Sequence, residues 1–148
     1  MVETANSQVG AMKRVLAAQR DFYVQILALA RQQSQFVSTG QTEELMTVLA
    51  ARSRLIDQVG PLDRELQPYK GRWQEVLDGL EGANRQAVAG LLREVQQLLA
   101  DILAQDEIDK DALNRQKAEI GVELNRTVTG KALNKAYGMK PRVGSVLG

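Results

Sequence analysis

The side chains of this chain best suited to chemistry are its grouped carboxylates, at Glu43-Glu44, Asp106-Glu107 and Asp109/Asp111. Acid–base or metal-assisted catalysis needs carboxylates that converge from several elements, often beside a histidine. Here each group is local to one stretch, the pattern of a solvated helix face. Residues 106–111 (Asp-Glu-Ile-Asp-Lys-Asp) have the acid density of a calcium loop but lack its central glycine and closing glutamate. No histidine and no cysteine occurs in the 148 residues. That removes the commonest general base, the commonest zinc ligands and any disulfide. Neither a Gly-Lys-Ser/Thr phosphate loop nor a Gly-x-Ser-x-Gly elbow is present. The expectation is no catalytic residue, no metal site, no cofactor and no small-molecule substrate.

Charge is unevenly spread. The net charge is +1, yet all 18 acidic residues and 14 of the 19 basic ones precede residue 126, so residues 1–125 sum to −4. Residues 126–148 carry Arg126, Lys131, Lys135, Lys140 and Arg142 without an acid, a sum of +5. Such a tail could neutralise phosphates, with Tyr137 stacking on a base. An acidic body and the absence of a recognition motif argue against nucleic acid and favour a solvated or partner-binding tail. Leu133, Tyr137 and Met139 form a small apolar cluster on it, open to docking on a partner or to folding back. No apolar run approaches the ~18 residues of a membrane span, and Met1 to Gln8 lack the features of a secretory signal. A cytoplasmic protein without membrane insertion is expected.

The elements that must carry these residues are helices. Ala, Leu, Gln, Arg and Glu dominate, and aromatics are only 4%. From Leu45 to Leu80, eleven positions recur at alternating spacings of 3 and 4: Leu45, Val48, Arg52, Leu55, Val59, Leu62, Leu66, Tyr69, Trp73, Val76 and Leu80. Ten are apolar, so a single stripe must lie against another long helix. Arg52, the exception, is expected to snorkel to the surface or mark the bundle end. A first helix is predicted over about 10–37, ended by Ser38-Thr39-Gly40, with Thr42 as the next N-cap. Because the stripe holds phase past Gly60-Pro61 and Pro68, residues 42–79 read as one kinked helix or as two collinear helices meeting near Gly60, the kink preferred. A third helix is predicted over 85–125, capped by Asn84. Its seam becomes polar at Asp106, Asp109 and Gln116, with Leu113 and Ile120 between. Unpaired buried carboxylates are costly, so this distal half should pack loosely or project. The architecture is all-α: an elongated antiparallel bundle of three long helices over 1–125 with a loosely packed C-terminal segment, and a basic, partly flexible tail over 126–148.

This layout resembles the FlgN-type flagellar export chaperones. The resemblance rests on the apolar-and-Gln helix Tyr23 to Val37, the turn and acidic helix start Ser-Thr-Gly-Gln-Thr-Glu-Glu-Leu (38–45), the Leu-rich stretch with Arg54 and Arg64, Leu124-Asn125, and Tyr137-Gly138. It implies a cytoplasmic chaperone for type III export that binds the C-terminal helix of hook-associated subunits and delivers them to the export gate. The subunit-binding positions it implies are Ile120, Leu124, Val128 and Leu133, with Tyr137 as the gate contact and Met139 beside it. From the residues alone, a coiled-coil adaptor or self-associating scaffold remains the alternative.

Overall fold

A computed structural model describes the backbone of residues 2–120 and, within it, the side chains of residues 7–112, 114 and 115. The elements are α1 (Val2–Thr39), α2 (Thr42–Glu65), a 3-10 turn (Gln67–Tyr69), α3 (Trp73–Asp78) and α4 (Gly82–Ile120). The three long helices pack up-down-up, with α1 touching both α2 and α4. Parallel α1 and α4 keep a fixed register. Lys13 Nζ donates to Asn84 Oδ1 at 3.2 Å, and Gln105 Nε2 to Ser34 Oγ at 2.7 Å, each pair 71 residues apart.

The turn from α1 into α2 follows from its glycine. Gly40 takes φ +68, Gly40 N–H donates to the Val37 carbonyl at 3.3 Å, and Gln41 N–H reaches the Phe36 carbonyl at 3.0 Å. These paired bonds close the carbonyl end of α1. The N-cap of α2 is Gln41, not Thr42 as expected, and its side chain makes no capping bond. Glu43 and Glu44 occupy the first turn, where they oppose the positive end of the helix dipole. Likewise α4 begins at Gly82, so Asn84 lies inside its first turn and serves as acceptor for Lys13.

The predicted 42–79 helix is corrected at its middle. Pro61 sits exposed inside α2 without ending it, so the helices do not meet near Gly60. The break comes at Leu66 to Arg72. Pro68 opens a single 3-10 turn, where a missing N–H costs nothing, and Gly71 at φ +74 redirects the chain into Trp73. The apolar seam survives this break: all eleven positions from Leu45 to Leu80 are buried or half-buried.

Two further seams complete the core. On α1 they are Val9, Met12, Leu16, Gln19, Tyr23, Ile26, Ala30, Gln33 and Val37, and on α4 Val88, Leu92, Val95, Leu99, Ile102, Asp106 and Asp109. Each keeps the alternating 3 and 4 spacing that faces one stripe inward. The main apolar cluster runs from Val9 and Trp73 at one end to Ile26, Leu27 and Ile102. A second, small cluster joins Leu45 and Leu49 to Phe36 and Val37 beside the α1–α2 turn.

Candidate partner-binding end

Polar residues stand on the seams between those two clusters, one from each long helix. Arg52 of α2 is 1% exposed. Its guanidinium donates twice to Asp106 of α4, Nη1 to Oδ1 at 2.7 Å and Nη2 to Oδ2 at 2.6 Å, and Nη1 also donates to Gln33 Oε1 of α1 at 3.0 Å. This two-pronged geometry is the strong form of the carboxylate–guanidinium contact. One turn further along, Ser34 Oγ donates to Asp109 Oδ1 at 2.6 Å while accepting from Gln105.

These contacts correct two sequence expectations. Arg52 does not snorkel and does not mark the bundle end; it is held inside by a partner 54 residues away. Asp106 and Asp109 are buried and hydrogen-bonded rather than projecting. The cost foreseen for unpaired carboxylates is met by pairing. It is not fully offset: burial pushes the Asp106 carboxyl above its ordinary value, against the pull of Arg52's hydrogen bonds and charge. Burial also raises Asp109, opposed by the Ser34 hydrogen bond.

Past this layer α4 outruns its neighbours. The 71-residue register sets Thr39, the last residue of α1, level with Lys110. The remaining turns to Ile120 therefore extend about 15 Å beyond the α1–α2 corner, at 1.5 Å per residue. Lys110, Asp111, Asn114 and Arg115 are exposed there, and Ile108, just short of the corner, is 76% exposed. Of the predicted partner-binding residues, Ile120 closes α4 but its side chain lies outside the described set. Leu124, Val128, Leu133, Tyr137 and Met139, the predicted short helix over 131–138 and the basic tail also lie outside the described residues.

One surface feature escaped the sequence reading. A groove of about 430 Å³ opens between α1 and α2, with half-buried Leu29, Ala51 and Leu55 along its floor and exposed Gln25, Ala28, Arg54 and Gln58 at its edges. The signal for it is the placement of small residues, Ala28 and Ala51, where two helices meet. Its lining offers apolar contact and one cation, and no acid–base pair.

Among the described residues no group of three or more metal-ligating side chains occurs, and no helix is long and apolar enough to cross a membrane. No curated protein and no solved structure matches the chain. The family model described as "Flagellar protein FliT" matches residues 20–139, reaching from the middle of α1 through every predicted partner-binding position. FlgN-type proteins are a related family of flagellar export chaperones, so that resemblance was right in kind and is corrected in the particular family. The chain belongs to the FliT family of flagellar export chaperones, a family of chaperones rather than of enzymes.

Proposed function

We propose that this protein acts in the cytoplasm as a chaperone for flagellar type III export. It binds the C-terminal helix of hook-associated subunits at the hook–filament junction and delivers them to the export gate. The observation that carries this reading is the family match, which continues to residue 139 and so includes the region after α4. Ile120, Leu124, Val128 and Leu133 form the subunit-binding strip, and Tyr137 with Met139 meets the export gate. The projection of α4 past the α1–α2 corner supports the strip, because a helix end that outruns α1 and α2 can receive an apolar partner helix.

A hook-associated subunit co-expressed with the chain should form a soluble complex that survives gel filtration. Leu124→Asp combined with Leu133→Asp should abolish it, and a complex retained by that double variant would remove the proposed site. The self-associating scaffold is the weaker reading. It requires the Leu45 to Leu80 stripe on the outside, whereas every position of that stripe is at least half-buried within one chain.

A further inference from the structure

We infer that the Gln33–Arg52–Asp106 layer is a hinge plane, at which α4 from Asp106 to Ala112 lifts off the α1–α2 hairpin as one unit while the main core stays packed. The attachment of α4 changes in kind at this layer. On its near side α4 is held by apolar burial through Val88, Leu92, Val95, Leu99 and Ile102. Beyond Leu103, among the described side chains, the buried positions of α4 are Asp106 and Asp109, and no apolar one is buried. The segment is fastened by the two-pronged bond to Arg52 and by the Gln105–Ser34–Asp109 chain.

The hairpin does not need this segment to stay shut. Its own end carries Leu45 and Leu49 against Phe36 and Val37, a cluster whose described members all belong to α1 and α2. Among the described side chains, what α4 uncovers beyond Leu103 is therefore chiefly polar. A buried ion pair that separates into water regains the hydration its burial removed, which returns much of the lost attraction. Asp109 Oδ2 and Gln33 Nε2 are buried without a hydrogen-bond partner, so both gain one when water enters. An apolar contact of the same extent has no such compensation. Regions fastened in this way open at lower free energy than the core and do so cooperatively. The inference concerns how the helices hold one another and stands whatever the segment after α4 binds.

Native-state hydrogen exchange on the full chain, followed across low urea concentrations, tests it. Amides of residues 106–112 should share one opening with a common urea dependence, at least a hundredfold less protected than those of residues 92–102. Converting the layer to apolar contact with Arg52→Met and Asp106→Leu together should narrow that gap at least tenfold. Ser34→Ala with Asp109→Leu should narrow it in the same direction, and serves if the first pair does not fold. Equal protection on the two sides of Asp106 would overturn the inference. So would protection that declines residue by residue toward Ile120, as a fraying helix end does. A gap left unchanged by a folded apolar variant would overturn it as well. Where neither variant folds, the wild-type profile alone decides.

Discussion

Removing one member of the Arg52–Asp106 pair should be far more damaging than removing both. Arg52 is 1% exposed in the parent, and Asp106→Leu takes away both carboxylate bonds of its guanidinium while the Gln33 carbonyl remains as an acceptor. It cannot discard its charge in the accessible pH range. Breaking a buried pair from one side costs about 3–5 kcal/mol, and this variant belongs at the upper end. In Arg52→Met the abandoned group is Asp106, at 9% exposure. Burial already raises its pKa, and loss of the guanidinium raises it further, so the carboxyl can escape by taking up a proton. That places Arg52→Met near the lower end, with a penalty that shrinks as pH falls from 7 toward 5. The double variant Arg52→Met/Asp106→Leu leaves no uncompensated charge. It should lie within about 1 kcal/mol of the parent or exceed it by up to about 4 kcal/mol. Urea unfolding followed by far-ultraviolet circular dichroism, with Trp73 fluorescence as a second probe, measures all three. Single costs below about 1 kcal/mol, or a double variant as unstable as the two singles added, would refute the claim that burial without compensation governs this layer.

Other outcomes follow from single positions. Gln19 is fully buried with neither amide atom hydrogen-bonded; Gln19→Leu should raise stability by about 1–3 kcal/mol in urea unfolding. Gly90, inside α4 with nothing within 4 Å of an added methyl, should gain about 0.5–1 kcal/mol as alanine. Gly71 at φ +74 should instead lose about 1–2 kcal/mol on the same change, so the two thermal midpoints should move in opposite directions. Asp109 has a folded-state pKa above its unfolded value because of burial. The native state therefore takes up this proton first, and its contribution to stability increases as pH falls through the folded value, levelling off below the unfolded one. The stability of the parent relative to Asp109→Asn should accordingly rise between pH 7 and pH 4, as read from urea midpoints.

Much of the fold was legible because the apolar spacing is regular. The stripe from Leu45 to Leu80 gave the packed face of α2 and α3, and Gly40 gave the turn before them. The interruption at Leu66 to Arg72 was hidden by that same regularity. Seam phase records which side chains meet the core, and a 3-10 turn followed by Gly71 can restart a helix with Trp73 still inward. Arg52 was misread for a different reason. Its partner lies on another helix, and local spacing carries no information about contacts across 54 residues. A clue was nevertheless present: opposite charges at seam positions of two helices packed in the same bundle, with a glutamine on the seam of the third. The groove floored by Leu29, Ala51 and Leu55 depends on the distance between two helices, which side-chain spacing along either one does not encode.

Three lengthwise passes are an odd number, so the start of α1 and the close of α4 occupy opposite extremities of the molecule. Along α4 that separation amounts to nearly 60 Å, at 1.5 Å for each of its 39 residues. Anything joined ahead of Val2, such as an affinity tag, a fluorophore or a fusion partner, would therefore sit far from whatever gathers at Ile120. The two extremities can be occupied at once without collision, and a donor–acceptor dye pair placed on them would report whether the long axis bends when a ligand arrives.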